Sequence, residues 1–96
     1  MTIDAGHDFF ILNFTLNGSA QDITTTRAFK RAYLQAKGDN DVIIRREGTD
    51  SAFLTLKAGS GMVITAYRIP NSGVTITICD ARTNGNPEIL EVVLTI

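Results

Sequence analysis

DVIIRREG (41–48), TDSAFLTLKAGS (49–60) and GMVITAY (61–67) decide the fold. Each piece carries a short apolar run in which β-branched and aromatic residues alternate with polar ones, the period of a half-buried strand. Gly48 and the Ala58-Gly59-Ser60-Gly61 cluster break the runs, so the stretch reads as three strands joined by turns, with 58–61 as a hairpin turn. No grouping of residues in it points to a particular reaction.

The same pattern extends in both directions. Upstream, FFILNFTL (9–16) puts Phe10, Leu12 and Phe14 on one side and Phe9, Ile11 and Thr15 on the other. Asn17-Gly18 then signals a turn, because both residues tolerate positive φ, and Gln21–Thr26 reads as the returning strand. Met1–His7 is polar and without period, and residues 1–8 are expected to form an N-terminal arm. Downstream, VTITICDA (74–81) alternates Val74, Ile76 and Ile78 against Thr75, Thr77 and Cys79. Asn84-Gly85-Asn86-Pro87 is a further turn, and EILEVVLTI (88–96) forms a last strand.

RAFKRAYLQAK (27–37) admits two readings. Phe29, Ala32, Tyr33 and Ala36 have helical spacing, with Thr26 and Gly38 able to cap the ends. A strand instead turns Ala28, Ala32, Leu34 and Ala36 inward and Arg31, Tyr33, Gln35 and Lys37 outward, with Lys30 as the exception. The neighbouring short strands favour the strand. The expectation is therefore an all-β domain over residues 1–96, a single small antiparallel β-sandwich or jelly-roll-like barrel of about seven to eight strands.

Totals narrow the function. Ninety-six residues make one domain with one core. A net charge of −1 gives no strong pull on nucleic acid or an anionic membrane, and no apolar run approaches the ~18 residues of a membrane span. The first residues lack a basic stretch followed by an apolar one, so a secretory signal is not expected. Cys79 is the single cysteine, which excludes an intrachain disulfide and a cysteine metal cluster and suits a reducing cytoplasm.

Polar candidates are few. Asp39, Asn40 and Asp41, with Asp50 nearby, could offer oxygens to calcium, but they lack the ligand spacing of a calcium loop and read as turn residues. His7 and Cys79 each lack a partner in the sequence, so neither is read as catalytic, and no metal or cofactor is expected. Arg27, Lys30 and Arg31 would join Arg45 and Arg46 in a basic stripe if their strands pair, facing acidic groups of a protein partner sooner than nucleic acid.

The apolar surface is more telling. In 9–16, and in the last strand, where Ile89 and Val93 oppose Leu90, Val92, Leu94 and Ile96, both faces are apolar. A sandwich strand buries one face. The second face is covered either by a folded-over loop or by another molecule, and so short a chain has few loops to spare. Phe9, Ile11, Ile89 and Val93, with Arg31, Arg45 and Arg46, are the candidate interface.

The order of features from Thr25 to Ile64 resembles small β-sandwich virion proteins of tailed bacteriophages. There, a strand ending in a Gly/Asp/Asn turn (here Gly38–Asn40) precedes a Val/Ile strand (Val42–Ile44). A Phe-x-Leu-x-x-Gly-like step follows, here carried by Phe53, Thr55, Lys57 and Gly59. The resemblance implies a non-enzymatic structural protein, a capsid decoration or cement subunit or a neck or tail component. It would be made in the host cytoplasm, assemble as a homo-oligomer and bind other virion proteins. The alternative is a carbohydrate- or ligand-binding sandwich module, for which the absence of Trp and the presence of only Tyr33 and Tyr67 offer few aromatic platforms.

Overall fold

In a computed structural model, residues 8–45, 54–65 and 73–96 are described. They form eight strands: β1 (Phe9–Leu16), β2 (Gln21–Thr25), β3 (Arg31–Ala36), β4 (Val42–Arg45), β5 (Leu54–Leu56), β6 (Gly61–Thr65), β7 (Ile76–Arg82) and β8 (Glu88–Thr95). Segment 31–36 is thus a strand, with Ala32, Leu34 and Ala36 inside. The helical spacing of Phe29 is satisfied differently: it precedes the strand and enters the core on its own.

Two four-stranded antiparallel sheets, ordered β1-β8-β3-β6 and β2-β7-β4-β5, pack face to face. The pairs β1·β8, β2·β7, β3·β6 and β4·β5 nest inside one another, as in a double-stranded ribbon rolled once. Rolling adds the contacts β8·β3 and β7·β4 and yields a jelly roll.

That topology corrects two expected hairpins. Asn17-Gly18 and Ala58–Gly61 reverse the chain, but each carries it from one sheet to the other, because β1 and β2, like β5 and β6, lie in different sheets. Among the described strands only β4 and β5 are both consecutive and paired, and their connection lies outside the described residues.

Leu34, Leu90, Val92 and Leu94 from one sheet meet Ile23, Val42, Ile44, Leu56 and Ala81 from the other, all nearly without exposure. Alternation in β7 fails at a bulge. Ile23 pairs with Cys79 while Thr24 pairs with Thr77, so Ile78 is the extra residue and both Ile78 and Cys79 are buried. The expected opposition of Ile78 to Cys79 is overturned by that one inserted position.

Four connections gather at one end of the sandwich and are tied in series. The Thr83 N–H donates to the Asn17 carbonyl (2.7 Å), joining the β7–β8 and β1–β2 connections. The buried Glu88 carboxylate accepts the N–H groups of Gly38 and Asn40, while Asn40 Nδ2 donates to the Pro87 carbonyl (3.1 Å). A Cβ at Gly38 would stand 2.8 Å from the Glu88 Oε2, so the clasp requires glycine there. Asp41 Oδ1 then accepts the Ala58 N–H (2.9 Å), reaching the β5–β6 connection. That bond, with Lys57 next to it, holds the Asp41 carboxyl below its usual range. A carboxyl depressed by folding stabilises above its unfolded pKa and loses that contribution as pH falls through the folded value, here below about 4.

Two substitutions measure these layers in denaturant. Leu90→Ala, at a site with no exposure, is expected to cost about 2–5 kcal/mol. Glu88→Ala removes a charged acceptor from two main-chain donors and is expected to cost about 1.5–3 kcal/mol.

Candidate functional site

The outer face of the β1-β8-β3-β6 sheet is built by strand alternation, which turns odd-numbered residues of all four strands away from the core. Register aligns them in rows. Ile11 lies opposite Val93, Val93 opposite Tyr33, and Tyr33 opposite Val63, making an apolar row from one sheet edge to the other. The row below it is polar: Asn13, Glu91, Gln35 and Gly61. The row above holds Phe9, Thr95, Arg31 and Thr65.

Four large apolar side chains on this face stand open: Phe9 (47%), Ile11 (53%), Val63 (48%) and Ile89 (47%). Val93 differs. It sits on the central strand between Ile11 and Tyr33, and these neighbours leave it 3% exposed. Part of the expected surplus is therefore hidden within one chain, and the remainder lies at the flanks.

A hollow of ≈ 240 Å³ opens beside Gly61, where a Cβ would already stand 3.0 Å from Gln35 Oε1. Tyr33, Gln35, Val63, Glu91 and Val93 line it. Small-molecule sites usually measure about 300–1,000 Å³. The hollow falls below that range and has the size to take an inserted side chain. Lys37 Nζ and Glu91 Oε2 (3.4 Å) form an ion pair at its rim.

The basic stripe does not assemble. Arg31 is on the outer face of β3, whereas Arg45 is on β4 in the other sheet, so their strands do not pair. Arg45 lies instead against buried Asp80, with Nε and Nη2 both 2.9 Å from Oδ2. Arg27 stacks on the Phe10 ring, 3.7 Å from its centroid. Arg46, His7 and Asp50 lie outside the described residues. Asp39–Asp41 is a turn whose groups serve the clasps above, and no group of three metal-ligating side chains occurs among the described residues.

Cys79, which alternation places on the face opposite Ile78, is fully buried. Desolvation, and then the charge of Asp80, push its thiol up to about 12. What the sequence could not reveal is the row itself: Tyr33 and Val63 gain meaning only through pairing registers. No family model, curated protein or solved structure matches the chain.

Burial both keeps the Cys79 thiol protonated at pH 8 and holds it out of reach of a reagent. The folded protein is expected to resist a thiol-alkylating reagent at that pH and to take up one equivalent after denaturation. Rapid alkylation of the native chain would contradict the buried placement.

Proposed function

We propose that the chain is a non-enzymatic structural protein of a tailed-bacteriophage virion, a capsid decoration or cement subunit or a neck or tail component. It seats the outer face of the β1-β8-β3-β6 sheet on a neighbouring virion protein. The observation that carries the reading is the Ile11–Val93–Tyr33–Val63 row, flanked by exposed Phe9 and Ile89. Exposed Phe9, Ile11, Val63 and Ile89, interspersed with Arg31, Lys37 and Glu91 on one sheet face, have the make-up of a protein–protein contact. The topology adds support, since jelly rolls recur in viral capsid domains, although a fold by itself hosts many functions.

Mechanically, the face needs no moving part. A sheet held at its centre by buried Val93 offers a rigid platform, and little ordering entropy is lost when a partner covers it. The hollow beside Tyr33 would receive a side chain of that partner, and exclusion of water from the row would supply most of the affinity.

Purified virions, analysed by mass spectrometry and labelled with antibody in electron micrographs, test the reading. The chain is expected in repeated copies at fixed positions on the particle. Val63→Asp and Tyr33→Asp should each weaken binding to the particle by more than about tenfold. Absence of the chain from washed particles would overturn the proposal.

A further inference from the structure

Among the described residues the sandwich has four edge strands, and three carry ordinary protection against pairing with another chain. β2 is short, holds Asp22 and lies beside the β7 bulge; β5 has three described residues; β6 has five described residues and begins with Gly61. β1 has none of these devices. FFILNFTL runs for eight residues without charge, proline, glycine or register shift.

The phase of the ladder identifies the groups it leaves open. The Ile96 N–H donates to the Asp8 carbonyl (3.2 Å), and antiparallel pairing alternates from there, so even-numbered β1 residues bond to β8. On the far side of β8, the Lys37 N–H donates to the Ile89 carbonyl (3.1 Å), setting the odd residues of β8 against β3. Phe9, Ile11, Asn13 and Thr15 therefore turn their main-chain N–H and C=O groups to the side that no described strand covers.

A second observation comes from the inner face. Phe10, Leu12 and Phe14 point toward the core yet remain half-buried, while Leu90, Val92 and Leu94, one strand inward, have no exposure. Leu12 and Phe14 border a groove of ≈ 420 Å³ shared with Thr24–Thr26. Core side chains are incompletely covered along the same edge that lacks strand protection.

We infer that β1 pairs with β1 of a second copy of this chain, antiparallel about a two-fold axis, and joins the two outer sheets into one. The register follows from the open groups. With Leu12 opposite its own copy, Phe9 meets Thr15 and Ile11 meets Asn13, reciprocally, so all four open residues exchange both bonds with a partner. Registers centred on Ile11 or Asn13 leave one of the four beyond the partner strand. The same register sets Phe10 against the copy's Phe14 and Leu12 against Leu12, which extends the core across the joint. β1 carries no charge, so the two-fold brings no like charges together. The pairing gives a geometry to the homo-oligomer that the resemblance implies, and it stands even if the virion reading fails.

The test is sedimentation of the full chain from low to high micromolar concentration, with residue-resolved hydrogen exchange on the same samples. The expected result is a dimer in which the amides of Ile11, Asn13 and Thr15 become protected as concentration rises. Asn13→Pro removes an open-side donor, leaves the β8 ladder intact and is expected to give a folded monomer. Ile11→Lys, which places a charge at the joint, should do the same, so the test survives if the proline variant fails to fold. Val63→Lys, at the opposite edge, should leave the dimer intact while impairing particle binding, which separates this pairing from the docking face. A monomer throughout the range, a dimer with those amides unprotected, or a folded Asn13→Pro or Ile11→Lys variant that remains dimeric would overturn the inference.

Discussion

β1 and β8 come from opposite ends of the described chain, yet they pair along their whole length, from Phe9 opposite Thr95 to Leu16 opposite Glu88. Every other strand pair nests inside this one. Closing the intervening chain of about seventy residues costs on the order of 4 kcal/mol in loop entropy, beyond a constant term. Leu16, Leu90, Val92 and Leu94 each become fully buried, at roughly 1.5–3 kcal/mol apiece, so their burial more than offsets that closure term. The ladder also makes β8 the interior strand between β1 and β3, and this shields Val93 from solvent even on the outer face. Non-local pairing of this kind folds slowly, because little of the stabilising contact is local in sequence.

The polar ties at the connection end follow from the same rolling. Jelly-roll connections cross between sheets, so their main-chain groups find few ladder partners and must be satisfied otherwise. Glu88 serves both layers: it is the first residue of β8, and its carboxylate holds the β3–β4 connection through Gly38 and Asn40. Thr83 plays a similar part on the other side, donating its hydroxyl to the Asn86 carbonyl (2.6 Å) and its N–H to Asn17. These ties fix how the strands enter the two sheets, and through them the registers that align Ile11, Val93, Tyr33 and Val63.

Strand identity was legible in the sequence because period-two alternation and turn residues are local signals. Residues 9–16 coincide with β1, and 31–36 became a strand once its neighbours were considered. Sheet assignment was not legible. Asn17-Gly18 specifies a reversal, but whether the returning strand pairs with its predecessor or packs over it depends on contacts far along the chain. The burial of Cys79 escaped for a related reason, since one extra residue at Ile78 shifts every side chain beyond it to the other face. Arg31 and Arg45 were grouped because β3 and β4 are consecutive, and consecutive strands of a jelly roll mostly lie in opposite sheets.

The apolar row and the open edge are contiguous, since Ile11 belongs to both. A two-fold axis perpendicular to the joined sheet would keep the two outer faces on the same side. Each copy would then present its own row, running away from the joint in opposite directions, with Val63 at the far end of each. A partner surface repeated at matching spacing would be gripped twice, and the second contact would form at the effective concentration set by the first. A face of modest area on a 96-residue chain can bind firmly in that way without enlarging the exposed apolar patch that one free copy must carry.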